Sequence, residues 1–122
     1  MKQKILILED DDINQELIQL YLIDDYELNI VSSVNEATDA LSKSTYDLII
    51  SDLNLGNDNQ SDGLSFLKYL RSDNRYKHIP VAAYSGYITP NIPNEYDFDV
   101  CISKPITKSE FLKTIADVLN KS

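Results

Sequence analysis

The chain is 122 residues long, a length that suits one domain with one hydrophobic core. Its composition, 43% hydrophobic and 25% charged, is typical of globular proteins and argues against a disordered chain. The net charge of -9 repels nucleic acid phosphates, so we expect no binding to nucleic acid. The apolar runs are too short to span a bilayer and no signal peptide is visible, which predicts a cytoplasmic protein without membrane insertion.

Short apolar runs recur along the chain and predict five β-strands. Four of these runs are continuous, which is typical of strands buried on both faces of a parallel sheet. The remaining run, second in the chain, is weaker and is predicted to lie at an edge. In chain order the runs are Ile5–Leu8, Leu28–Val31, Leu48–Ile50, Val81–Tyr84 and Val100–Ile102.

Segments with helical spacing lie between these runs. Two of them open with a capping box, at Ser33–Glu36 and at Thr107–Glu110. The apolar positions predicted to form helix faces are Ile13, Leu17, Leu20 and Tyr21 in the first helix, Leu64, Leu67 and Leu70 in the third, and Phe111, Ile115, Val118 and Leu119 in the last.

The segment between the fourth and fifth strands departs from this rhythm. Pro90 and Pro93 disfavour a long helix there, so the helix expected at this place is short or irregular. The alternation of strands and helices otherwise predicts right-handed crossovers and a doubly wound α/β sheet. We expect residues 1–122 to form a single domain, with no output domain attached.

Polar side chains follow four of the predicted strands. Glu9 and Asp10 come after the first strand, Asp52 after the third, Ser85 after the fourth and Lys104 after the fifth. In an open α/β sheet, ligands bind beyond the carboxyl ends of the strands, so these residues are expected to converge. Clustered carboxylates favour a divalent cation, and oxygen ligands of this kind suit Mg²⁺. A carboxylate can also act as a nucleophile and form an aspartyl phosphate.

These residues belong to longer motifs that together cover nearly the whole chain. The motifs are Lys4–Asp11, Tyr46–Leu55, Asp62–Gly63, Ile79–Gly86 and Ile102–Pro105. As a set they resemble the receiver domains of bacterial response regulators and hybrid histidine kinases. The resemblance implies a flavodoxin-like, five-stranded parallel sheet with strand order 2-1-3-4-5.

The resemblance also implies a role for each matching residue. Asp52 matches the phosphoacceptor of the family. Glu9 and Asp10 match its acidic pair, so Mg²⁺ is expected at Glu9, Asp10, Asp52 and the backbone carbonyl of Asn54. Each of these residues alone has a more ordinary explanation, because acidic residues often begin helices or lie in turns. Their joint placement at successive strand ends favours the functional interpretation.

Four further positions concern the phosphoryl group and its lifetime. Ser85 and Lys104 match the hydroxyl and the ammonium group that contact the phosphoryl group in the family. Tyr87 is expected to lie across the approach of water to the phosphorylated Asp52. Cys101 matches the family's switch aromatic and is not aromatic, which argues against coupling of Ser85 rotation to an aromatic flip. On composition alone, Cys101 is a small side chain that packs in an apolar stretch.

The resulting prediction is a signalling switch rather than a metabolic enzyme. A histidine kinase or histidine phosphotransfer protein would donate a phosphoryl group to Asp52, and the modified protein would bind a downstream protein partner. The domain would catalyse only its own phosphorylation and slow dephosphorylation. One alternative is a receiver-fold binding module that is not phosphorylated. Another is a metal-dependent phosphohydrolase of a different α/β family, although such enzymes commonly have a second acid where Asn54 stands.

Overall fold

A computed structural model describes the backbone of residues 2–52, 59–85, 98–103 and 107–121. It also describes their side chains, except at positions 52, 59–64, 85, 103 and 121. The expected short helix around Pro90 and Pro93 therefore lies outside the described residues. No helix in the described ranges is both long enough and apolar enough to cross a membrane.

Five parallel strands form one sheet in the order β2-β1-β3-β4-β5. This is the strand order implied by the resemblance, and all five predicted strands are present. Their bounds are β1 Gln3–Leu8, β2 Tyr26–Val31, β3 Leu48–Asp52, β4 Val81–Ser85 and β5 Val100–Ser103. Each strand extends the corresponding apolar run by one or two residues, mostly polar ones at the strand ends.

The apolar runs are continuous because both faces of the sheet are covered by helices. Alternate residues of β1 enter opposite core layers, with Ile5 and Ile7 in one layer and Leu6 and Leu8 in the other. All four side chains are fully buried. β2 is only partly buried along most of its length, as expected for an edge strand.

Four helices are described, and they supply these two layers. They are α1 Asp12–Leu22, α2 Val34–Lys43, α3 Asn59–Ser72 and α4 Lys108–Lys121. Buried side chains of α1 and α4 belong to one layer and those of α2 and α3 to the other. Both predicted capping boxes start helices, because the Ser33 and Thr107 hydroxyls each accept the backbone N–H three residues later, both at 3.2 Å.

The predicted buried face of α1 is wrong. Ile13 and Leu20 are 75% and 67% exposed, whereas Ile18 and Leu22 are fully buried. Two apolar stripes run along this helix, and the sheet covers only the stripe that includes Ile18. Of the predicted face, Tyr21 contributes most clearly to the core, because its ring meets Phe111 of α4 edge-on at 5.9 Å. The exposed stripe leaves apolar surface next to the start of the helix.

The amino-terminal edge of the sheet is held by Arg71 at the end of α3. Its Nη1 donates to the carbonyls of Lys77 and Ile79, at 3.1 and 2.8 Å, and its Nη2 donates to the Asp99 carboxylate at 2.8 Å. The same Asp99 oxygen accepts the Val81 backbone N–H at 2.7 Å. One guanidinium thus joins α3, the turn before β4 and the residue before β5.

Candidate functional site

The register of the sheet brings Glu9 and Asp52 to neighbouring positions. Leu8 pairs with Ser51 across β1 and β3, and Glu9 and Asp52 are the next residues of their respective strands. Because adjacent strands lie about 4.8 Å apart, the backbones of these two acidic residues are close neighbours. The carboxyl ends of β1 and β3 therefore form the centre of the candidate site.

Glu9 is held in place by its backbone and by its side chain. Its N–H donates to the Val31 carbonyl at 2.9 Å, which continues the pairing of β1 with β2. Its Oε1 accepts the Asp11 N–H at 3.0 Å, and its carbonyl accepts the side-chain amide of Gln15. The residue is fully buried, and a buried carboxylate requires hydrogen bonds or a nearby cation. The role of Gln15 was not apparent from the sequence, although it lies one turn into α1.

Asp11 serves as the N-cap of α1. Its carboxylate accepts the Asn14 backbone N–H at 3.0 Å, and Asp12 begins the helix. Asp10 precedes this cap and is exposed. The hydrogen bond from the Asn14 N–H therefore identifies Asp11, and not Asp10, as the cap of α1. The run of consecutive aspartates in the sequence does not show which of them has this role.

The carboxyl ends of β4 and β5 lie along the same edge of the sheet. Asp52 pairs with Tyr84 in β4, and Ser85 pairs with Ser103 in β5. Lys104 directly follows Ser103 in the chain. The backbone therefore places Asp52, Ser85 and the residue before Lys104 on one rim. The predicted residues Asn54, Tyr87 and Lys104 lie outside the described residues, as do the side chains of Asp52 and Ser85.

Of the predicted magnesium ligands, Glu9 and Asp10 are the two whose side chains the structure describes. No group of three or more His, Cys, Asp or Glu side chains in this part of the protein is arranged to hold a metal ion. The predicted third carboxylate is that of Asp52, whose side chain is outside this set. The prediction of a three-carboxylate site consequently stays a prediction.

Cys101 lies in β5 opposite Ala83 of β4. Its side chain is partly buried and packs against the core layer formed with α2 and α3. Burial raises the pKa of the Cys101 thiol, which makes it a poor nucleophile. The packing agrees with the expected small, apolar role of this residue.

The rim and the strand order are those of a known family, and the comparisons with known proteins agree. The model of the response regulator receiver domain matches residues 5–116. The polar-differentiation response regulator DivK of Brucella ovis is 31% identical, over 98% of both chains. The chemotaxis response regulator CheY4 of Vibrio cholerae superimposes with a TM-score of 0.85 at 25% identity, over 97% of this chain and 99% of that one.

A second similar structure shares the fold at lower identity. It is the receiver domain of a sensor histidine kinase from Pseudomonas aeruginosa, which contains a magnesium ion coordinated in its active site cleft. It is 21% identical, with a TM-score of 0.85 over 98% of this chain and 99% of that one. The family match spans most of the sequence, and the DivK similarity extends over nearly all of it. The chain belongs to the response regulator receiver domain family.

Proposed function

We propose that this receiver takes a phosphoryl group from a phosphohistidine onto Asp52, in a Mg²⁺-dependent reaction, and acts as a signalling switch. The observation that carries the proposal is the strand register, which makes the acidic residue after β1 and the acidic residue that ends β3 direct neighbours. Family membership supplies the reaction type. From family membership we also propose a cytoplasmic location and a single receiver unit within residues 1–122.

The residues at this rim fit Mg²⁺ by their chemistry. Glu9, Asp10 and Asp52 offer carboxylate oxygens, which are hard ligands that suit this ion, and the backbone carbonyl of Asn54 would add a fourth oxygen. The burial of Glu9 supports the proposal, because a buried acidic group gains from a nearby cation. When bound, the ion would neutralise charge on the phosphoryl oxygens and on the carboxylates around them. The similar Pseudomonas aeruginosa receiver with magnesium in its cleft is consistent with this assignment.

The transfer itself requires little covalent chemistry from the protein. A carboxylate oxygen of Asp52 attacks the phosphorus atom, the P–N bond of the phosphohistidine breaks, and the imidazole leaves with its electron pair. Lys104 is proposed to pair with a phosphoryl oxygen, and the Ser85 hydroxyl to donate to another. Ser85 ends β4 and Lys104 follows β5, and the carboxyl ends of these strands lie on the same edge as Asp52.

The exposed stripe of α1 is a suitable contact for the phosphodonor protein. The helix begins two residues after Asp10, so its first turn lies beside the rim. Ile13 in that turn, and Leu20 about two turns further along the helix, expose most of their side chains. A histidine kinase or phosphotransfer protein that covers these residues would bring its phosphohistidine towards Asp52. After transfer, the modified rim would change the affinity for a downstream protein partner.

Labelling with acetyl phosphate tests the proposal without a donor protein. In the presence of Mg²⁺ we expect one phosphoryl group per chain, mapped to Asp52 by mass spectrometry. Asp52→Asn should abolish the label. Asp47→Asn is a matched control, because Asp47 flanks the opposite end of β3, where its carboxylate accepts the Lys4 N–H at 2.8 Å. Undiminished labelling of Asp52→Asn would refute the assignment. A folded wild-type protein that takes no label would instead favour the non-phosphorylated binding module.

A further inference from the structure

A cavity of about 300 Å³ opens at the amino-terminal edge of the sheet, away from the phosphorylation rim. It lies between the end of α2 and the turn before β4. β3 separates it from the rim, and five residues of strand span about 13 Å. The cavity is therefore a separate feature from the proposed phosphorylation site. Its lining residues are Leu41, Ser42, Ser44, Thr45, Tyr46, Arg75, Tyr76, His78 and Ile79.

The walls of the cavity divide into an apolar floor and a polar mouth. Leu41, Tyr46, Tyr76 and Ile79 are buried and belong to the core layer that includes α2 and α3. Ser42, Thr45 and His78 are exposed, and Ser44 is half-buried. An apolar, aromatic floor with a few polar groups at its mouth is the usual composition of a site for a small organic molecule, and the volume is at the lower end of the range for such sites.

Arg75 lies at the mouth, where its side chain is 66% exposed and pairs with Asp73. Its Nε and Nη2 donate to the two oxygens of Asp73, at 3.1 and 2.8 Å, and its guanidinium lies 4.8 Å from the centre of the Tyr76 ring. The third nitrogen, Nη1, makes no hydrogen bond to any residue within the described ranges. A guanidinium positioned in this way can donate to an anion without first giving up its hydrogen bonds to Asp73.

Basic side chains gather near the cavity, although the chain as a whole is acidic. Three of the eleven basic side chains, those of Arg71, Arg75 and Lys77, lie within seven residues of one another. Lys43 lies close to the cavity in sequence, at the end of α2. Arg71, Arg75 and Lys43 each pair with an aspartate, so their charges are largely compensated. The attraction for an anion therefore rests on the donor that Arg75 has left at Nη1.

We propose that this cavity binds a small aromatic acid, with its flat ring against Tyr46 and Tyr76 and its carboxylate on Nη1 of Arg75. The apolar floor selects the ring, and the oriented guanidinium selects the negative charge. Neither Asp52 nor the metal site takes part, so the inference does not depend on the proposed function.

Three probes separate the two parts of this recognition. Indole-3-acetate has the ring and the charge, indole-3-acetamide has the ring alone, and acetate has the charge alone. Titration of the ¹⁵N-labelled full chain should give saturable amide shifts in residues 41–46 and 75–79 with indole-3-acetate. The expected dissociation constant is about 1 mM, from the usual affinity per non-hydrogen atom. The amide should bind about tenfold more weakly, and acetate should give no saturable shift.

Variants test the assigned groups. Arg75→Gln should weaken indole-3-acetate about tenfold and leave indole-3-acetamide unchanged. Lys77→Gln is the matched control, because it removes a charge from the same turn at a residue that does not line the cavity, and it should change little. Ser42→Trp, at an exposed position of α2, should obstruct the mouth and abolish binding.

Three results would overturn the proposal. One is the absence of saturable shifts in these two segments of the folded protein up to about ten times the expected dissociation constant. Another is binding of acetate as strong as that of indole-3-acetate, which would mean an adventitious ion only. The third is an equal loss of affinity in Lys77→Gln and Arg75→Gln, which would show that general charge attraction, and not the oriented guanidinium, holds the anion.

Discussion

The adjacent aspartates after β1 allow a test in which two neighbouring substitutions have opposite effects. Asp10 is proposed as a magnesium ligand, whereas Asp11 caps α1 through its hydrogen bond from the Asn14 N–H at 3.0 Å. Asp10→Asn should therefore weaken Mg²⁺ binding without destabilising the fold. Asp11→Ala should destabilise the fold and leave Mg²⁺ binding nearly unchanged. The two acidic positions would be difficult to distinguish by sequence alone.

The magnitudes follow from the position of each charge. Asp10 is exposed, so its charge interacts with the ion through a dielectric close to that of water. A unit charge about 4 Å from a divalent ion then contributes about 2 kcal/mol to the binding free energy of Mg²⁺, or about thirtyfold in its dissociation constant. The Asp11 carboxylate is turned towards the helix start. At about one Debye length from the ion, its loss costs about 0.3 kcal/mol, or less than about twofold. Removal of an N-cap typically costs about 1 kcal/mol of unfolding free energy, which lowers the melting temperature by about 4 °C in a domain of this size.

Two assays read these effects separately. Isothermal titration calorimetry measures Mg²⁺ affinity, and urea unfolding followed by circular dichroism in EDTA measures stability without the metal. Asp10→Asn in EDTA should be as stable as the wild type or slightly more stable, because it relieves repulsion from Glu9. If Asp11→Ala weakens Mg²⁺ binding more than Asp10→Asn does, the acidic pair has been assigned one residue too early. Unchanged binding in Asp10→Asn would remove this residue from the metal site.

Three further outcomes are expected. A double substitution of Ile13 and Leu20 to serine should slow phosphoryl transfer from a donor protein and leave the rate with acetyl phosphate unchanged; slowing of both rates would count against α1 as the donor contact. Arg71→Met should lower the unfolding free energy measured in urea by about 2 kcal/mol, since three hydrogen bonds are lost, one of them partly buried. Lys43→Met, which removes an exposed ion pair, should cost about 0.4 kcal/mol. Similar costs for the two variants would contradict the assigned role of Arg71. Tyr87→Ala should shorten the lifetime of the phosphoryl label in the isolated protein, because the ring is expected to obstruct water; an unchanged or longer lifetime would leave Tyr87 without a shielding role.

The strands and the helix starts could be predicted from the sequence because local patterns specify them. A strand segment buried on both faces, such as Ile5–Leu8 of β1, has to be apolar throughout, and so short a run suits a strand better than a helix, which usually needs at least about ten residues. The capping boxes at Ser33 and Thr107 are likewise local, since donor and acceptor lie three residues apart. Strand order came from the resemblance, because alternation alone permits several orders.

The face of α1 could not be predicted in the same way. Ile13, Leu17 and Leu20 form a stripe at helical spacing, and Ile18, Tyr21 and Leu22 form a second one. Periodicity identifies both stripes, but only the docking of the helix on the sheet determines which is buried. Because the stripe that contains Ile18 is buried, Ile13 and Leu20 are exposed. On this helix, the exposed stripe and the stripe that packs in the core have similar apolar compositions.

Long-range polar contacts were also beyond the sequence. Arg71 and Asp99 are 28 residues apart, and nothing in the intervening sequence marks them as a pair. The cavity beside Arg75 could not be predicted for the same reason, because its walls come from two segments about thirty positions apart in the sequence. By contrast, the carboxylates at the strand ends could be predicted, because the topology of a parallel sheet gathers them at one edge.

The contacts of Arg71 have a consequence for how β4 can move. The Val81 N–H donates to Asp99, and the Asp99 N–H donates back to the Val81 carbonyl at 2.9 Å, so the first residue of β4 is anchored to the segment before β5. A lengthwise shift of β4 would break these bonds and those of Arg71. Ser85 lies about 13 Å further along the strand, where a tilt of only about 5° displaces the backbone by about 1 Å. Rearrangement at the phosphorylation rim can therefore proceed as a pivot about the anchored end, with the pairing of β4 to its neighbours preserved.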